Sequence, residues 1–156
     1  MSATNPIVSL RQITFANVRA VCALEVEDGQ KGNVAANALS LAEAYVAAHE
    51  AWPRAVYAGD ELVGFVMVYD PSEAKDPREP DFFLWRLMID RRAQGRGHGS
   101  AAVRLAIDHA RSRGARRILV SHVKQAPTLG SFYASFGFTY NGREDARERY
   151  MTLTLQ

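Results

Sequence analysis

The chain has 156 residues, 47% of them hydrophobic and 23% charged, with a formal net charge of +2. That length suits one domain over residues 1–156 with a core of its own, and the composition excludes a disordered or fibrous chain. So small a net charge argues against a nucleic-acid or membrane partner, and a single cysteine, Cys22, excludes an intrachain disulfide and a cysteine metal cluster.

The start MSATNPIVSL lacks a basic head followed by a long apolar run, and no segment approaches the ~18 apolar residues of a membrane helix, so a cytoplasmic protein is expected. Ile7 to Leu10 reads as a first strand. Thr14 is a candidate N-cap for a helix through Val18, Val21 and Leu24, in which Cys22 reads as a buried thiol. Glu25–Gln30 breaks that pattern. A second helical stretch covers Val34 to Glu50, with Ser40 and Glu43 at capping-box spacing, and Trp52-Pro53 ends it. Arg54–Ala58 and Leu62–Asp70 predict a hairpin closed through Gly59-Asp60. The loop Pro71–Pro80 carries three prolines and is expected to be irregular.

Phe82 to Ile89 is a bulky apolar run interrupted by Arg86, which suits a buried strand. Asp90, Arg91, Arg92 and Ala93 lead into the close-set glycines Gly95, Gly97 and Gly99. Beyond them Val103, Ala106, Ile107 and Ala110 recur at helical spacing, giving one apolar face up to about Gly114. Arg117–Val123 predicts another strand. Pro127 suits the first position of a helix and Gly137 the residue past its end. Phe138–Tyr140 and Tyr150–Leu155 complete the chain as an antiparallel pair.

A strand feeding a glycine-dense turn and then a helix leaves backbone N–H groups unpaired beside the positive end of the helix dipole, an arrangement that binds phosphate. The dinucleotide pattern G-x-G-x-x-G fails, because the sixth position from Gly95 is Ser100, and no lysine follows the glycines as a P-loop needs. The arginines concentrated between Arg91 and Arg117 read singly as a solvated helix face.

Gln94-x-x-Gly97-x-Gly99 resembles the Q/R-x-x-G-x-G/A signature of the GCN5-related N-acetyltransferases. Phe132-Tyr133-Ala134-Ser135-Phe136-Gly137-Phe138 resembles that family's (L/F)-Y-x-x-x-G-F segment, at the family's separation. The resemblance implies an α/β fold with a single mixed, mostly antiparallel sheet of six to seven strands flanked by about four helices. It implies acetyl-coenzyme A as co-substrate, with no metal, its pyrophosphate held by Gln94, Gly95, Arg96, Gly97, His98, Gly99 and Ser100. A backbone N–H among Leu87, Met88 and Ile89 is the implied oxyanion donor.

Acetyl transfer to an amine needs a deprotonated nitrogen, an oxyanion donor and an acid for the departing thiolate. Tyr133 matches the family tyrosine that protonates the coenzyme A sulfur, and aromatic packing with Phe132 and Phe136 is its other reading. Where some relatives carry a base on the strand before the turn, this chain has Trp85 and Arg86, so Glu25, or a water chain ending on it, is the candidate base. Ala126 stands where many relatives have an asparagine that contacts the coenzyme. Gln30, Val34-Ala35, Asn37, Ser40–Tyr45, Trp85-Arg86 and Met88–Asp90 resemble the spermidine/spermine or diamine branch, with Glu25, Glu27, Asp28 and Glu43 as carboxylates for a polycation. The expected partner is therefore a small-molecule amine, and a homodimer stays open. A protein or peptide amine, an aminoglycoside-like drug, or a noncatalytic acyl-coenzyme A module are the alternatives.

Overall fold

The structure, a computed structural model, describes residues 4–155, so the first three residues of the amino-terminal stretch lie outside it. Seven strands form one sheet: β1 (Val8–Arg11), β2 (Ala51–Ala58), β3 (Glu61–Tyr69), β4 (Phe82–Ile89), β5 (Arg117–Val123), β6 (Thr139–Glu144) and β7 (Glu148–Thr154). Their order is β1-β2-β3-β4-β5-β7-β6, antiparallel except for the parallel pair β4–β5. Four helices accompany them: α1 (Val18–Ala23), α2 (Asn37–Val46), α3 (His98–Ser112) and α4 (Pro127–Ala134). The expected mixed sheet with about four helices is what the chain forms.

Two apolar clusters cover the two faces of the sheet. On one, Ala102, Val103, Ala106 and Ala110 of α3 bury their side of the helix against Val66 and Val68 of β3 and Ile118 and Val120 of β5. On the other, Val21 of α1 and Ala44 of α2 cover Phe65 and Met67 of β3 and Met88 of β4. β3 is thus buried on both faces, each fully buried apolar side chain there contributing roughly 1.5–3 kcal/mol.

Several local expectations need correcting. The stretch Val34–Glu50 holds a shorter helix, Asn37–Val46, whose N-cap Ala36 makes no side-chain hydrogen bond. Ser40 lies inside that helix, fully buried, and among the described residues its hydroxyl has no partner. The capping box instead joins Glu27 and Gln30 around a 3-10 turn at Asp28–Gln30. Cys22 is exposed, because α1 turns Val21 inward and Cys22 lies about 100° further round the helix. Trp52 and Pro53 do not end a helix but belong to β2; β1 pairs only with Ala55–Ala58, so Pro53 sits where β2 has no β1 neighbour and its missing N–H costs little.

Pairing between β4 and β5 covers only Phe82–Leu84 with Ile118–Val120. Directly after Leu84, Trp85 is the extra residue of a bulge: Val68 pairs with Leu84 and Met67 with Arg86. A bulge bends the strand that carries it. Beyond it β4 and β5 diverge, and a wedge opens in the middle of the sheet.

Candidate active site

The wedge is the mouth of a cleft of about 520 Å³, walled by β4 from Leu84 to Ile89, the glycine turn, the start of α3, Ser121 and His122 of β5, and α4 through Thr128, Leu129, Phe132 and Tyr133. Sites for small organic ligands typically run about 300–1,000 Å³. The turn and Tyr133, far apart in sequence, therefore border one cavity.

The turn is built for an anion. Gly95 and Gly97 have φ of 77° and 85°, a region costly for side chains, and a Cβ at either would meet no protein atom within 4 Å. Gly97 is also the N-cap of α3, and Ala101 donates the first backbone hydrogen bond of the helix back to it at 3.1 Å. Among the described residues, the backbone N–H groups from Gln94 to Ser100 find no protein acceptor. They lie at the amino end of a fifteen-residue helix, where the dipole favours negative charge. Gly95, Gly97, His98, Gly99 and Ser100 all face the cavity. The Arg96 side chain does not; it is exposed and its guanidinium donates to Arg92 O at 3.4 Å.

Gln94 holds the turn in place. Its Nε2 donates to Ile89 O at 3.0 Å and to Gln30 Oε1 at 2.8 Å, and Gln30 Nε2 donates back to Gln94 Oε1 at 3.3 Å. Asp90, buried at the end of β4, adds a second tie: its Oδ1 accepts from Glu25 N–H at 2.9 Å, and its Oδ2 from the Arg92 N–H at 3.1 Å and Nε at 2.9 Å. Burial pushes the Asp90 carboxyl up, but these donors outweigh it and hold it below its ordinary range. The segment around Glu25–Gln30 is thereby fastened to the glycine turn.

Leu87, Met88 and Ile89 pair with Val66, Phe65 and Gly64 of β3, while their other edge has no strand partner. Backbone groups on that edge open into the cleft, except Ile89 O, which Gln94 occupies.

Tyr133 sits on the inward face of α4, with its ring edge-on to Phe132 and Phe138. Its hydroxyl makes no hydrogen bond to protein among the described residues, and burial pushes the phenol up, so it stays protonated through neutral pH. Tyr133 thus packs on its aromatic neighbours and also lines the cavity.

Glu25 is not brought together with Tyr133. Its carboxylate is exposed and lies 3.7 Å from the Arg91 guanidinium, and the residue is not part of the cleft wall. Glu43 pairs with Arg86 at 3.2 Å and Asp28 with Lys31 at 3.0 Å, so those carboxylates are engaged locally. The carboxylate that does line the cleft among the described residues is Glu148, at the start of β7, in a charged stretch with no motif to single it out. His122 was also missed; it is buried, its Nδ1 lies 2.9 Å from Val123 O and its Nε2 2.8 Å from the Tyr140 hydroxyl. A histidine in the apolar run RILVSHV gives no sequence signal beyond alternation.

No group of three or more His, Cys, Asp and Glu residues is placed to hold a metal ion, and no helix is long and apolar enough to cross a membrane, among the described residues.

Residues 18–138 match the acetyltransferase (GNAT) family, which makes the chain an acyl-group transferase. The chain belongs to that family. It is 29% identical over 140 residues to a spermine/spermidine N(1)-acetyltransferase of Bacillus subtilis, covering 88% of this chain and 91% of that protein. Its fold matches that of a Bacillus subtilis acetyltransferase solved in complex with CoA, with TM-score 0.65, 18% identity, and coverage of 96% and 98% of the two chains. A chimera of the spermidine N-acetyltransferase SpeG from Vibrio cholerae and hSSAT matches with TM-score 0.70 at 16% identity, over 94% of each chain.

Proposed function

We propose that the protein transfers the acetyl group of acetyl-coenzyme A to a primary amine of a small polyamine or diamine, with Tyr133 as general acid. The observation that carries this reading is the shared cavity: Gln94, Gly95 and Gly97–Ser100 of the turn, whose amides are unpaired among the described residues, and the Tyr133 side chain border the same space. Its support on the acceptor side is the sequence similarity to a spermine/spermidine N(1)-acetyltransferase.

The residues fit the coenzyme. The space in front of Gly95 and Gly97 takes a diphosphate that any Cβ would crowd, and the amides and helix dipole neutralise its charge. The free edge of Leu87–Ile89 would offer a backbone donor to the thioester carbonyl. Tyr133, protonated at neutral pH, gives its phenolic proton to the departing sulfur, whose conjugate thiol has a pKa near ~8.5. Asp90 and Gln94 keep the acceptor-side segment at Glu25–Gln30 in fixed relation to the turn.

The test is free-thiol release from acetyl-coenzyme A with spermidine, spermine, putrescine, a lysine peptide and an aminoglycoside. Turnover with the polyamines is expected. Turnover confined to the peptide or the drug overturns the acceptor class, and coenzyme binding with no turnover on any amine overturns the enzyme reading.

A further inference from the structure

A second groove, of about 460 Å³, runs from the cleft across the other side of the wedge. Trp85, Arg86, Ser121 and Glu148 belong to both walls, so an acceptor entering through this groove passes them before reaching Tyr133. Tyr69, Phe83 and Tyr150 give the groove an aromatic side, with Arg78 over the Tyr69 ring and Arg143 over the Tyr150 ring, and Glu79 and Asp81 share its wall with Arg78, Arg86 and Arg143. Glu79 is committed to Arg143 at 3.5 Å and Asp81 to Arg117 at 2.9 Å. Glu148 is not committed: among the described residues its carboxylate makes no ion pair or side-chain hydrogen bond, while the nearby Lys124 and Arg149 both turn to Glu144 at 3.5 Å.

From this arrangement we infer that Glu148 is the general base, at the junction where the acceptor's ammonium meets the cleft. The assignment rests on the acetyltransferase reading above and supplies the base that Glu25 is not placed to be. Its backbone is rigidly held: Glu148 N–H donates to Asp145 Oδ1 at 2.8 Å, Asp145 N–H donates to Glu148 O at 3.0 Å, and the residue is in register with Val123 of β5. The side chain is therefore free for substrate while its strand is fixed.

The ammonium loses one proton to the Glu148 carboxylate, which hands it to water in the groove. The neutral amine's lone pair then forms the C–N bond to the acetyl carbon, and its departing N–H proton passes to Glu148. The C–S bond breaks, the sulfur takes the phenolic proton of Tyr133, and the proton on Glu148 restores the phenol through water. One amide, one thiol and one released proton result.

Around Glu148 stand Arg86 of β4, His122 and Lys124 on and after β5, Arg143 of β6, Tyr150 of β7 and Tyr133 of α4, besides Arg78 and the Glu79 and Asp81 carboxylates across the groove. Of these Arg86 is paired with Glu43, Arg78 with Glu50, Lys124 with Glu144, Arg143 with Glu79 and Asp81 with Arg117, and the Tyr150 phenol is pushed up by burial and by the charges of Asp145 and Glu148.

The experiment compares the whole protein with Glu148→Gln and Glu148→Asp, using spermidine and acetyl-coenzyme A across pH. Glu148→Gln is expected to lower kcat by about 100-fold or more and to remove the acid limb of its pH profile. Coenzyme A binding and the circular dichroism spectrum stay as in the natural protein, and Glu148→Asp retains the limb with partial turnover. A kcat within threefold, an unchanged acid limb, or a loss confined to KM each overturns the assignment. If the natural protein itself turns over no amine, the acetyltransferase reading falls first and this one with it; normal turnover with an unaffected Glu148→Gln removes Glu148 alone.

Discussion

Gly130 of α4 lies directly against the Tyr140 hydroxyl, and a Cβ at that position would run into the hydroxyl and come within 3.1 Å of His122 Nε2. The same hydroxyl is 2.8 Å from that nitrogen. Alanine in a helix is normally favoured over glycine by about 1 kcal/mol. Here the Tyr140 hydroxyl, at the tip of a half-exposed ring, has to move aside and give up its bond to His122, so the helix gain is offset and Gly130→Ala is expected to change stability by less than about 1 kcal/mol in urea unfolding. In the Tyr140→Phe background, where that bond is already gone, Gly130→Ala should stabilise by more than it does in the natural protein, a coupling read in a double-mutant cycle. Equal effects in the two backgrounds would show that the hydroxyl does not respond to position 130.

Tyr133→Phe removes a hydroxyl that has no protein partner among the described residues, so it leaves no buried group unpaired and stability should change by less than about 1 kcal/mol. Turnover should fall by about 10²–10⁴-fold while coenzyme A affinity stays within about twofold. Because burial raises the phenol, the natural enzyme should show no alkaline loss from this group up to about pH 10. Rates measured with a saturating amine check both points, and unchanged turnover takes Tyr133 out of the chemistry.

The Gln30–Gln94 amide pair links the Glu25–Gln30 segment to the glycine turn. Gln94→Leu also strips Ile89 O of its donor, and with neutral hydrogen bonds worth about 1 kcal/mol each, coenzyme A should bind roughly tenfold more weakly. Gln30→Leu should have a smaller effect, and the double variant should fall short of additivity by about 1 kcal/mol in calorimetric titration. Strict additivity would mean the two side chains act separately.

Trp52 stacks on His109 with ring centroids 3.7 Å apart, and His109 Nε2 donates to Asp70 Oδ2 at 3.1 Å. Burial lowers the imidazole below its ordinary value and outweighs the raising pull of Asp70. At neutral pH the contact is thus a hydrogen bond from a neutral ring. The unfolded chain takes up this proton before the folded one, so the contribution to stability is full above about pH 6.5 and is lost as pH falls through the lowered folded value. For Asp70, burial raises the carboxyl but Ser72 and His109 outweigh it, so its contribution is lost only below about pH 4. Thermal unfolding from pH 8 to 5 should show a decline that His109→Gln flattens; equal slopes would refute it.

The strands around the turn were legible because Phe82–Ile89 and Arg117–Val123 carry their burial in their composition, and the glycines announce the conformation they adopt. The boundary at Trp52-Pro53 was not legible: proline's local rule favours a break, and only the short span of β1 shows that a proline is tolerated there. Ser40 followed by Glu43 met a capping rule that the burial of Ser40 overrides. Gly130, which local propensity marks as a weak point in α4, is explained by Tyr140, which is brought against it by the β6–β7 hairpin. At the cleft, motif matching found the groups next to the turn and Tyr133, while Glu148 and His122 reach it only through β5–β7 pairing.

The divergence of β4 from β5 leaves the two halves of the sheet sewn together by three rungs, Phe82–Ile118, Phe83–Leu119 and Leu84–Val120. The seam is weakest at the cleft, so a molecule spanning it from the glycine turn to α4 would act as a rivet. Tight occupancy at a hundredfold excess over Kd adds about 2.7 kcal/mol to the folded state, concentrated along this line. Amides of Leu87–Ile89 and Ser121–Val123 are accordingly the ones whose hydrogen exchange slows most when the rivet is in.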